Sequence, residues 1–148
     1  MNRSVASAAA LEAVDAVTAS TIWLVWDDNA PAGVNLWVPL NERGERAILE
    51  KRFEPARIAP EMLAPASAPF AAIYHWGMCG FTTGARRSIM RLGAELQDGP
   101  LVDVDVYARV VTPEGAAAVA RFGAEPRPDL GENFYVRPAR QTTSVMAR

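Results

Sequence analysis

Apolar residues recur along this chain in two periods, and each change of period marks a boundary between predicted elements. Leu11, Val14 and Val17 follow helical spacing behind Ser4, predicting a helix over residues 4–18 with Ser4 as its N-cap. Residues 21–26 are β-branched and aromatic and predict a strand, stopped by a breaker-rich turn over 27–33. Residues 34–38 alternate well enough to be its partner. Residues 41–53 place charges around Ala47, Ile48 and Leu49, and fit a short helix or a hairpin arm equally well. Pro55, Pro60, Pro65 and Pro69 then exclude a long helix and predict an irregular crossing, with one turn at 61–63.

The second half is more regular. Residues 70–79 form a nearly continuous apolar run, as a central strand buried on both faces requires. A loop over 80–84 leads to a helix over 85–96, with Ala85, Ile89, Leu92 and Leu96 on one face and Arg87 and Arg91 on another. Residues 101–108 alternate strictly, setting Val102, Val104 and Val106 against Asp103, Asp105 and Tyr107. Thr112, Pro113 and Glu114 supply the cap, first-turn proline and early acid of another helix, which packs through Val119 and Phe122 and stops at Gly123. A last strand is predicted over 133–136, and 138–148 read as a loose tail. The order predicts one α/β domain spanning residues 1–148.

Composition narrows the chemistry. Half of the 148 residues are hydrophobic and 22% charged, which is globular, and the formal charge of −2 gives no general attraction to nucleic acid or an anionic membrane. No run reaches the roughly 18 apolar residues of a membrane span. Glu12 and Asp15 interrupt the place where an export signal would keep its apolar stretch, so a cytoplasmic protein is the expectation. Cys79 is the single cysteine and His75 the single histidine. They cannot build a disulfide framework or a multi-thiolate zinc site, and no metal is expected.

The strand-loop-helix over 73–96 is the main candidate site. Such a unit directs free backbone N–H groups and the positive helix end at whatever lies above it, an arrangement suited to phosphates. Thr82 and Thr83 add hydroxyls, and Arg86 and Arg87 add two cations in the first turn. Cations there oppose the helix dipole unless an anion lies between them; solvated arginines on an ordinary turn are the plainer explanation. Neither a Walker lysine loop nor a dinucleotide fingerprint is present. His75 could act as a base or be a hydrogen-bonded core residue. Tyr107 could act as an acid or simply belong to its strand. Four residues apart on a regular strand, His75 and Cys79 would share a face at roughly 13 Å, too far to pair. Asp103 and Asp105 would share a strand face, as an acid–base pair or a solvated stripe.

The order strand, loop, helix, strand, helix, strand over 70–137, with Phe122-Gly123-Ala124 ending the late helix, resembles the second half of the GNAT family of acyltransferases. The resemblance implies a mixed, mostly antiparallel sheet flanked by helices, whose central strands splay to admit the pantetheine arm of an acyl-CoA. It further implies a pyrophosphate loop comprising Cys79, Thr82, Thr83, Gly84, Ala85, Arg86 and Arg87, and transfer of an acetyl or short acyl group to an amine. His75 and Tyr107 are the catalytic candidates. An acyl-CoA is the implied co-substrate, and a small-molecule or protein amine the implied partner, with a homodimer as a further option and neither nucleic acid nor membrane. The loop keeps the family pattern only at Gly84, and Val119 stands where the family often has a tyrosine. A non-catalytic module binding an acyl-CoA, a nucleotide or a protein is the alternative.

Overall fold

The computed structural model describes residues 6–140. Four helices and six strands follow the order α1 (Ala8–Thr18), β1 (Ile22–Asp27), β2 (Ala30–Leu40), α2 (Glu42–Leu49), β3 (Ala72–Gly80), α3 (Thr83–Asp98), β4 (Asp105–Arg109), α4 (Pro113–Arg121), β5 (Glu125–Pro126) and β6 (Phe134–Arg137). The strands form one sheet in the order β1-β2-β3-β4-β6-β5. Only the central pair, β3 with β4, runs parallel; the other pairs are antiparallel. The chain is a single α/β domain with a mixed, mostly antiparallel sheet flanked by helices.

Side chains sort onto the two sheet faces by the strand alternation. Val38, Leu40, Ala72, Tyr74, Tyr107 and Val136 meet Val14 of α1 and Ile48 of α2 on one face. Trp37, Ile73 and Val106 form the other, under Leu101 and Leu96. There α3 sits so close to the sheet that a Cβ on Gly33 would lie 2.8 Å from Ile89 Cδ1. Phe122 at the end of α4 seats on Gly93 of α3, where a Cβ would come within 2.8 Å of its ring.

Local chemistry sets the element ends, with several departures from expectation. Ser7, not Ser4, caps α1, its hydroxyl accepting from Ala10 N at 3.1 Å; Ser4 lies outside the described residues. The predicted seven-residue turn is a two-residue hairpin, because Asp28 and Asn29 both adopt left-handed φ values of 44° and 67°, and β2 starts at Ala30. Residues 42–49 are helical, decided by Asn41, whose side chain accepts from Gly44 N. Pro60–Met62 form one helical turn within the proline segment, at the place the sequence predicts one. Residues 101–104 are turn instead of strand, and Asp103 therefore does not share a strand face with Asp105. Buried Arg137 explains the change: its Nη2 donates to Leu101 O at 2.6 Å and Val104 O at 3.1 Å, holding the turn closed. Residues 138–140 are anchored too, through Ala139 N on Asp105 Oδ1 and Arg140 on Asp98; the rest of the predicted tail lies outside the described residues.

Candidate functional site

The sheet opens at one place. β3 pairs with β2 as far as Gly80, but its register with β4 ends at His75 opposite Ala108. The β4-facing edge of residues 76–80 thus has no strand beside it. This gap lies at the carboxyl ends of two parallel strands joined by a helical crossover, where α/β folds leave a crevice for ligands. A bulge shapes the same stretch: Leu36 pairs with Gly77 and Trp37 with His75, leaving Trp76 as the extra residue on β3.

Above the open edge stands the start of α3. Thr82 is its N-cap and accepts from Ala85 N at 3.0 Å, while Thr83 and Gly84 are exposed in the first turn. Their backbone N–H groups precede the first internal helix bond, made by Arg86 N to Thr82 O, and so face outward with the positive helix end. Ala85 is buried at 2% exposure and its N–H is committed to the cap, so it supplies packing and not a contact. Arg86 Nε donates to Gly80 O at 3.0 Å, folding the guanidinium over the end of β3. Gly80 is needed for that approach, since a Cβ there would meet Arg86 Cγ at 2.8 Å and Arg86 N at 2.9 Å. Arg87 and Cys79 are exposed. The arrangement can hold a polyanion: two outward N–H groups, two threonine hydroxyls and two arginines belong to one helix start.

The two catalytic candidates are not brought together. Tyr74 pairs with Tyr107, and His75 with Ala108, so His75 and Tyr107 lie on opposite faces of the sheet. His75 is 6% exposed, stacks on Trp37 with ring centroids 4.5 Å apart, and meets Asn35 Oδ1 through Nε2 at 2.7 Å. Burial lowers its pKa to about 4, with a backbone hydrogen bond at Gly77 opposing weakly. Tyr107 is buried under α2; its hydroxyl donates to Glu45 Oε1 at 3.0 Å and, more weakly, to Asp105 Oδ2 at 3.4 Å. Burial and then the Glu45 charge raise the phenol far above its ordinary range. Burial also raises the Glu45 carboxyl, against the hydrogen bond from Tyr107. Since Asp105 precedes Tyr107 on β4, the hydroxyl reaches back from the open end. His75 and Cys79 do not share a face either, because the bulge at Trp76 reverses the alternation between them.

One residue at the gap has no signal in the sequence that separates it from core. Tyr74 interacts with the Arg109 backbone and guanidinium where β3 and β4 part, and burial pushes its phenol up to about 12. Only the strand register could have singled it out. A surface depression of about 620 Å³ lies elsewhere, beside Asn41, Arg43, Glu61 and Phe70 at the opposite end of β3, and holds none of the candidates. Among the described residues no group of three or more His, Cys, Asp or Glu side chains could hold a metal ion, and no helix is long and apolar enough to cross a membrane. No protein-family model, curated protein or solved structure matches the chain.

Proposed function

We propose that this chain binds an acyl-CoA and transfers its acetyl or short acyl group to an amine, as an N-acyltransferase of GNAT type. The observation that carries the reading is the parting of β3 from β4 directly beneath the start of α3. An extended pantetheine arm can hydrogen-bond along the open edge of residues 76–80 as a missing strand would. The CoA pyrophosphate then meets the Thr83 and Gly84 N–H groups, the two threonine hydroxyls, Arg86 and Arg87. Transfer requires the amine nitrogen to attack the thioester carbon, the carbonyl oxygen to take up charge, and the thiolate to leave and collect a proton. Backbone N–H groups on the free edge can stabilise the oxyanion, and fixing both reactants there supplies the proximity term.

A second reading, an acyl-CoA-binding module without turnover, is favoured by one specific observation. His75 is committed to buried Asn35 and Tyr107 to half-buried Glu45, and the two lie on opposite faces of the sheet. The experiment that separates the two combines titration calorimetry of CoA and acetyl-CoA with release of free thiol in the presence of a panel of amines. Binding with amine-dependent thiol release supports the transferase. Binding without release selects the module, and no binding of either ligand overturns both.

A further inference from the structure

We propose that β1 is a homodimer interface, at which a second copy of this chain adds its own β1 antiparallel and joins the two six-stranded sheets into one. β1 is the edge of the sheet, and five of its six residues are exposed. They include Ile22, Trp23, Leu24 at 51% and Trp26 at 61%. Edge strands of monomers are ordinarily protected by charge, proline, a bulge or a covering element. From Ile22 to Trp26 there is neither charge nor proline, and Asp27 is the single ionisable residue of the strand. The bulge in this hairpin falls on β2, where Ala32 is the extra residue between Val25 paired with Gly33 and Trp26 paired with Pro31. β1 itself therefore stays regular.

Backbone direction identifies the symmetry point. Trp37 N donates to Thr21 O, so Thr21 faces β2, and by alternation Ile22 and Leu24 turn their backbone groups to the outside. The Ile22 N–H is taken by Asp15 Oδ1 at 3.1 Å. Leu24, at the middle of the apolar run, is left to present an outward donor and acceptor. A two-fold axis through Leu24 pairs Leu24 with its own counterpart by two mutual hydrogen bonds. The same register sets Ile22 opposite Trp26 and Trp23 opposite Val25 of the second copy, and Asp27 opposite uncharged Thr21. Every facing pair within the run is apolar, and no like charges meet, so the strand is complementary to itself. Two tryptophans, a leucine and an isoleucine contribute on the order of 400 Å² of apolar side chain per copy. That is about half of the ~800 Å² per partner in a standard interface, before the backbone edge and its flanks are counted.

Sedimentation equilibrium on the full chain at micromolar concentrations tests the proposal, beside Leu24→Pro and Leu24→Lys. The Leu24 N–H makes no bond to β2, so proline there removes only the outward donor, and lysine adds like charges across the axis without touching the core. The expected result is a dimeric wild type, with both variants dissociating at least tenfold more readily and keeping the wild-type circular dichroism. A monomeric wild type overturns the proposal, as does a dimer whose dissociation constant neither variant changes. Should one variant lose its fold, the other decides.

Discussion

His75 and Asn35 meet through a 2.7 Å hydrogen bond between β3 and β2, and Trp37 stacks on the same imidazole. One hydrogen bond thus joins the neutral imidazole to the Asn35 amide across the two strands. The arrangement supplies a buried polar side chain with a partner, which an apolar strand otherwise lacks. It makes the only histidine a determinant of stability against acid.

The first prediction follows from that burial. His75 has a folded-state pKa of about 4 against 6.5 in its ordinary state. Its contribution to stability is therefore full above pH 6.5 and is lost as the pH falls toward 4, because the unfolded chain takes up the proton first. Across that window the loss amounts to about 3 kcal/mol. Denaturant melts between pH 4 and 7 should show it, and His75→Gln should flatten this component of the profile.

Tyr107 and Glu45 provide the second. Tyr107→Phe removes the hydroxyl that lowers the Glu45 carboxyl and leaves burial to raise it unopposed. The variant should lose about 1–2 kcal/mol, the usual cost when a partly buried hydrogen bond to a charged group is broken. Titration of the Glu45 carboxyl by NMR should move upward in the same variant.

Gly44 tests the packing of α2. A Cβ there would lie 2.5 Å from Met62 O and 3.0 Å from Leu40 Cβ. Gly44→Ala should therefore destabilise by about 1–3 kcal/mol through overpacking, although alanine favours a helix by roughly 1 kcal/mol. An increase in melting temperature would contradict the close approach of α2 to the Pro60–Met62 turn.

Much of this fold is legible in local pattern, and two of the exceptions depend on distant partners. The start of α4 follows the Thr112 cap that the sequence predicts, whereas α3 starts at Thr83 behind a Thr82 cap, two residues before the predicted Ala85. The turn at 101–104 depends on Arg137, more than thirty residues away, so strict alternation of valines misleads there. The bulge at Trp76 depends on how β3 lies against β2, and one inserted residue is enough to move Cys79 to the face opposite His75. Of the candidate site, the loop residues Thr82, Thr83, Gly84, Arg86 and Arg87 can be found from chain order, since they fall within six consecutive positions. Which face His75 and Tyr107 occupy is a matter of register, and sequence periodicity carries no information about it.

Arg86 and Arg87 provide the fourth prediction. Both are exposed, so replacing them with alanine should leave the melting temperature nearly unchanged. If they meet the CoA pyrophosphate, the double variant should weaken CoA binding by about 2–4 kcal/mol, as charge-assisted hydrogen bonds contribute roughly 1.5–3 kcal/mol each and add incompletely.

The most direct measurement is amide chemical-shift mapping during titration with CoA. Saturable shifts should concentrate at residues 76–87, in the unpaired edge of β3 and the first turn of α3, and should be small at Asn41, Arg43 and Phe70 around the opposite depression. Shifts confined to that depression, or none at millimolar CoA, would contradict the assignment of the parted strands as the binding site.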